Sequence, residues 1–179
     1  MEVRPAHAGR HSSHVIKGVR KVSSRIKIGG ILKNPNLAAL SVLGIADRPG
    51  IAATLLSALG RERVNVQFIV QCMDMRRQTH IVLCVDRSDL KQARALADAA
   101  AVAMGAETVD QIEEVGLVSI FGPDFRERPG IAGTMFGALA DKGINILAIS
   151  TSISTVACII EGRNMNLALE ALRETFELP

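Results

Sequence analysis

Apolar residues recur along this 179-residue chain in two rhythms, and the rhythms appear in the same order twice. A short β-rich run comes first: Leu40-Ser-Val-Leu-Gly44 in one copy, Leu117-Val-Ser-Ile-Phe121 in the other. A turn containing Arg-Pro-Gly follows. Proline suits the first turn of a helix, where the N–H it lacks has no partner anyway. The next apolar residues are Ile51, Leu55, Ala58 and Leu59, matched by Ile131, Met135, Ala138 and Leu139. That i, i+4, i+7, i+8 spacing is the buried stripe of an amphipathic helix. Lys142-Gly143 marks the end of the second such helix. β-prone runs follow at Val64–Gln71 and Ile144–Ser150, then again at Thr79–Val85 and Thr155–Ile160. A further helix closes each copy. One is Ser88–Met104, with Ser88 as its N-cap and Gly105 in its C-cap; the other is Asn164–Phe176.

The two copies align directly. Arg48–Asn65 and Arg128–Asn145 lie 80 residues apart without a gap, and 9 of 18 positions are identical. That period is too long for a solenoid, so it predicts a duplicated small domain. Each copy reads β-α-β-β-α. A short strand near Glu107–Glu114 completes βαββαβ in the first, the ferredoxin-like pattern of an α+β fold. The second copy ends at Phe176-Glu-Leu-Pro179, with no room for a sixth element, which would leave an open sheet edge. The β-prone stretch Arg25–Ile31 is expected to fill that place, so that the first unit is inserted within the second. The expected division is a lead-in at 1–24, a completing strand at 25–37, the first unit at 38–114 and the second at 115–179.

Composition narrows the function. Hydrophobic residues make up 48% and charged residues 22%, so neither disorder nor collagen describes the chain. There are five Phe and no Tyr or Trp. RNA-recognition modules share the βαββαβ order but stack bases on sheet aromatics, and the strands here carry only Phe68 and Phe121. No nucleic acid partner is expected. No apolar run approaches the ~20 residues of a membrane helix, and no signal peptide stands near Met1. The three cysteines, Cys72, Cys84 and Cys158, are widely spaced, which fits a reduced, cytoplasmic protein rather than a disulfide or zinc scaffold. His7, His11 and His14 cluster without Cys or carboxylate support, so no metal is expected. Residues 1–28 hold seven Lys or Arg against one Glu, a net +6, and the remainder carries −3. A basic head of this kind can mean nucleic acid, an acidic partner or an organelle transit peptide, and its plainer reading is a solvated or partner-covered lead-in.

Several motifs carry a family resemblance. Asp47-Arg-Pro-Gly-Ile-Ala-Ala, Val64-Asn-Val and Val70-Gln71 resemble the first ACT domain of aspartate kinase. Phe125-Arg-Glu-Arg-Pro-Gly-Ile-Ala, Gly143-Ile-Asn-Ile and Ile149-Ser-Thr-Ser152 resemble the second, and Leu167–Leu178 is similar to the family's C-terminus. Ile28-Gly-Gly-Ile fits the family's spacing, and Glu2-Val-Arg4 resembles the end of its catalytic domain. The resemblance covers roughly residues 25–179. The family's Lys-Phe-Gly-Gly-Thr phosphate loop does not occur in the chain, so no catalytic residue is expected, and ATP and Mg would belong to a kinase domain elsewhere. The resemblance implies an allosteric region or separate β subunit that binds an amino acid, pairs as a homodimer and/or joins a catalytic chain, and gives feedback control. A freestanding amino-acid sensor acting on another enzyme is the alternative.

By the same resemblance, Asp47, Gly50, Ile51, Ala52 and Gln71 of one unit face Asn145 and Ile146 of another across an interface. A possible second site comprises Gly130, Ile131, Ala132, Asn65 and Ser152. The chemistry is coherent. Unpaired N–H groups at a helix start suit a carboxylate. Asp47 suits an ammonium, and Gln71 both donates and accepts. Each residue also has a plainer reading: Pro-Gly as a turn, Asp47 as a helix cap, Asn65 and Asn145 as Asx turns that begin strands. The departures favour threonine over lysine. Ile153 stands where the family usually offers a carboxylate, and a buried unpaired lysine ammonium would cost several kcal/mol.

Overall fold

The apolar rows at Leu40–Gly44 and Leu117–Phe121 are parts of two unusually long strands. A computed structural model describes residues 25–179. The basic lead-in and its three histidines lie outside the described residues. Strand β1 (Ile26–Lys27) is followed by β2 (Gly30–Ala46), α1 (Ile51–Arg61), β3 (Val66–Met73), β4 (Gln78–Asp86), α2 (Leu90–Met104) and β5 (Thr108–Phe121). Then come α3 (Ile131–Asp141), β6 (Ile146–Thr151), β7 (Thr155–Glu161), α4 (Met165–Thr175) and β8 (Phe176–Glu177). Six strands form one sheet in the order β3-β4-β2-β5-β7-β6. The order β5-β2-β4-β3 is the ferredoxin-like sheet of the first unit, and β2-β5-β7-β6 is that of the second.

Both units share β2 and β5, which run antiparallel from Gly30↔Phe121 to Leu43↔Thr108. The second half of β2 also pairs with β4, and the second half of β5 with β7. Asn34-Pro35-Asn36 lies inside the expected completing strand, and β2 passes straight through it. An extra residue in β2 is taken up between Asn34 and Leu37, and an extra one in β5 is taken up between Val115 and Ile112. Each bulge resets the two-residue alternation, so that Ile31 of one unit and Leu40 and Val42 of the other all face the helix side. Pro35 sits where β2 has no neighbour other than β5, the placement a residue without an N–H tolerates. At Gly116, opposite this bulge, the tip of the Met165 side chain fills the place a Cβ would take and would have to move aside for one.

Three apolar clusters result. Leu55 and Leu59 of α1 pack with Leu40, Leu83 and Ala97 under the first helix pair. Met135, Leu139, Leu169 and Phe176 form the counterpart under the second. On the opposite face Leu37, Phe68, Cys84, Val115 and Ile159 make a third cluster, with Val70 and Ala148 against it. This third cluster curls the sheet until its two edge strands, β3 and β6, touch.

The structure corrects three details. Arg25–Ile31 is not one sheet strand. Ile26–Lys27 pairs in parallel with Phe176–Glu177 in a separate ladder, and the chain joins the large sheet only from Gly30. Gly29 and Gly30 allow this, since a Cβ at either would meet the Phe121 ring at 2.9 Å. Phe176 ends as strand rather than helix, buried in the second core. Asp86, not Ser88, caps the turn into α2: its carboxylate accepts from Ser88 N at 2.9 Å and Ser88 Oγ at 2.7 Å. A carboxylate is the stronger acceptor for those donors.

Burial pushes the thiols of Cys84 and Cys158 up to about 12, whereas Cys72 is exposed. One of the three thiols of the native protein should therefore react with an aromatic disulfide at about pH 8, and all three after unfolding. Absorbance titration counts them, and a native count of three would contradict the packing of β4 and β7.

Candidate functional site

The site begins at the end of β2. A bulge between Val42 and Ile45 places Gly44 at φ 70, where a Cβ would meet the Glu107 side chain at 2.6 Å. Gly44 N–H donates to His80 Nδ1 at 3.2 Å, and His80 Nε2 lies 3.3 Å from Asp74 Oδ2. With Nδ1 accepting, the ring proton sits on Nε2 and is donated to Asp74. Asp74 also accepts from the N–H groups of Arg76 (2.8 Å) and Gln78 (2.9 Å) in the β3–β4 turn. These bonds, led by the Gln78 N–H, hold its carboxyl below the usual value of 3.8.

Asp47-Arg48-Pro49-Gly50 then leads into α1. Gly50 takes φ 96 at the helix N-cap, with nothing within 4 Å of a would-be Cβ. Its freedom there is conformational, worth about 1–2 kcal/mol against an L-residue. The first intrahelical bond is Thr54 N–H to Gly50 O at 2.9 Å. The N–H groups of Ile51, Ala52 and Ala53 come before it and stay free of the helix ladder. Arg48 is spent elsewhere: its Nη2 donates to Ala103 O at 3.1 Å and ties the loop to the end of α2.

Asp47, Gly50, Ile51, Ala52 and Gln71 line one groove of about 490 Å³, with Arg48, Pro49 and Ala53. Gln71 stands opposite Ile81 on the outer strand β3, on the face that α1 and α2 cover. Asp47 does not cap α1, which has no side-chain cap. Its Oδ1 instead accepts from Thr79 Oγ1 at 3.2 Å. Thr79 is fully buried, and sequence reasoning does not single it out. The available signal is a hydroxyl at the head of an otherwise apolar row, Thr79, Ile81, Leu83, Val85.

The remaining expected residues lie apart from this groove. Asn145 is exposed just before β6, and Ile146 packs against the second core. Gly130 repeats Gly50, at φ 89 before α3, with Ile131 buried behind it and Ala132 beside it. Asn65 is exposed ahead of β3, and Ser152 donates its N–H to Thr155 O in the β6–β7 turn. The loop before Gly130 carries a 3₁₀ turn over Pro123–Arg126, and Phe125 packs on the second core. Among the described residues no group of three metal-ligating side chains occurs, and no helix is long and apolar enough to cross a membrane.

A tandem of ferredoxin-like units with an Arg-Pro-Gly helix start in each defines the class. The family profile described as "ACT domain" matches residues 40–100 and 118–176, and the chain belongs to that family. Its tandem is of the aspartate kinase regulatory kind. A solved structure of aspartokinase alpha and beta subunits superposes with a TM-score of 0.75 at 32% identity, over 83% of this chain and 97% of that one. The ligand-free regulatory subunit of aspartate kinase from Thermus thermophilus gives 0.76 at 27% identity, over 84% and 99%. The aspartokinase of Pseudomonas aeruginosa is 36% identical over 84% of this chain but only 37% of its own length. The chain thus spans little more than a third of such full-length relatives.

The sign of the Asp74 shift sets an acid limit on the β3–β4 turn. A carboxyl lowered in the folded state stabilises the turn above its unfolded pKa and loses that contribution as pH falls through the folded value. Hydrogen exchange at the Arg76 and Gln78 amides should accelerate, relative to the core of β4, below about pH 4. Asp74→Ala should show the faster exchange already at neutral pH.

Proposed function

We propose that this chain is the amino-acid-sensing regulatory region or subunit of an aspartate kinase, and that threonine is its favoured effector. The carrying observation is the groove at the head of α1. Free helix N–H groups, a carboxylate with no capping duty and an amide stand together there. They match the carboxylate, ammonium and hydroxyl of threonine. Lysine brings a second cation, and Ile153, 71% exposed in the β6–β7 turn, gives it no anion. The relatives' names support the assignment to aspartate kinase, since they are aspartate kinases and their regulatory subunits.

On this reading Asn145 and Ile146 complete the groove from a second copy of the chain, and Gly130, Ile131, Ala132, Asn65 and Ser152 form its weaker counterpart. The outer strands β3 and β6 carry no charged side chain to guard their edges, which supports such pairing. Catalysis, with its ATP and Mg, belongs to a kinase chain in the cytoplasm that senses the effector-bound arrangement. We also read the first unit as inserted within the second, supported by the pairing of Gly30–Asn34 with Phe121–Leu117. Binding at the end of β2 then bears on a strand that both units use.

Calorimetry with both amino acids tests the effector. Threonine should bind, lysine should bind at least tenfold more weakly, and Asp47→Ala should weaken threonine about tenfold or more. Tight lysine binding, or indifference to Asp47→Ala, would refute the site. Sedimentation at micromolar concentration should show a dimer or larger assembly, and a monomer both with and without threonine would count against a shared site.

A further inference from the structure

Thr79 opens the row of β4 that faces α1 and α2, and its companions Ile81, Leu83 and Val85 are all core residues. It pairs across the ladder with Ile45, which is also fully buried. Valine would fill the same space, so packing alone does not call for a hydroxyl here. A fully buried hydroxyl is costly without a partner, and the partner that Thr79 Oγ1 has is Asp47 Oδ1, at 3.2 Å. Asp47 itself is exposed at the groove.

We infer that Thr79 is the positioning residue of the effector site: its hydroxyl holds one oxygen of Asp47 and presents the other to the ligand's ammonium. This deepens the reading of the groove given above and rests on it. A short carboxylate on an exposed loop has several staggered rotamers of similar energy. Held from below by a donor that cannot move with solvent, it is ordered before the ligand arrives, and less freedom is lost on binding.

The second unit supplies an internal comparison. Asp86 ends β4 opposite Leu37, and Glu161 ends β7 opposite Val115. Counting back seven residues from each places Ser154 where Thr79 stands. Ser154 is exposed, and its carbonyl accepts from Gly122 N at 3.0 Å. Between Gly122 and Arg-Pro-Gly the chain makes its 3₁₀ turn. A buried hydroxyl beneath a loop carboxylate is therefore a property of the unit that has the Asp47 groove, not of the repeated fold.

The test is a double-mutant cycle on the full chain, read by calorimetry with L-threonine and by thermal unfolding. Thr79→Val should keep the wild-type unfolding temperature or raise it, and weaken threonine about five- to tenfold. Thr79→Ser, which keeps the hydroxyl, should stay within about twofold of wild type. In the Asp47→Ala background Thr79→Val should cost nothing further, because the two act as one unit. Wild-type affinity in a folded Thr79→Val protein overturns the inference, and so does an equal loss with Asp47 already removed. Should Thr79→Val fail to fold, Thr79→Ala carries the same comparison. If Asp47→Ala alone leaves threonine binding unchanged, or the wild type binds none, the reading of the groove has failed and this inference falls with it.

Discussion

The antiparallel pairing of β2 with β5 is the constraint on which the rest depends. Each of these strands is central to one unit and marginal to the other. Leu37 and Val115, both fully buried, sit opposite each other at the crossing between units. A bulge on either side, one in each strand, keeps the apolar rows of both halves on the helix side. A one-residue slip without them would turn the core residues of one unit toward the open face. Neither unit has its full sheet without the other's strand. The third apolar cluster, drawn from both units, closes the arrangement from the opposite face.

That constraint also governs how a ligand at one end could be felt elsewhere. Asp47 follows directly on the last residue of β2, and the bulge at Gly44 is pinned by His80 and crowded by Glu107. Glu107 stands just before β5 and takes a hydrogen bond from Gln78 Nε2 at 2.6 Å. The carboxylate at the groove is thus a few residues from both shared strands. Packed elements of this kind shift as bodies rather than deform smoothly. On the proposed reading, ordering the groove favours one arrangement of the pair of units.

Much of this was legible in the sequence because it is written locally. The repeat, the helix stripes, the left-handed glycines after Met104 and Lys142 and the Arg-Pro-Gly starts all lie within short windows. What stayed hidden depends on distant partners. The stretch 25–37 reads as one completing strand, and only the pairing of Ile26–Lys27 with the C-terminus divides it from the large sheet, which begins at Gly30. Phe176-Glu177 has too few residues to declare itself, and becomes a strand because Ile26–Lys27 lies alongside. The groove residues were legible as a motif, from Asp47 to Gln71. The hydroxyl behind Asp47 was not, because 32 residues separate Thr79 from it and β-propensity already accounts for a threonine at the head of a strand.

The two units show how a duplicated fold keeps its skeleton while its chemistry diverges. Gly50 and Gly130 share their left-handed backbone, and Thr54 and Thr134 each return a side-chain bond to that glycine's carbonyl, at 3.0 and 3.1 Å. Those features serve the helix start, which both units need. The loops just before differ. In the first unit a bulge and a short loop leave Asp47 at the surface over Thr79. In the second, Phe125 packs down on the core, and a Cβ on Gly122 would meet its ring at 2.7 Å. A half-buried aromatic side chain at that place anchors the loop by apolar contact. On the proposed reading, the carboxylate in the first loop keeps hydrogen-bonding capacity for what enters the groove. The first loop is thus built to present a charge and the second to hold itself in place, although one pattern of turn and helix underlies both.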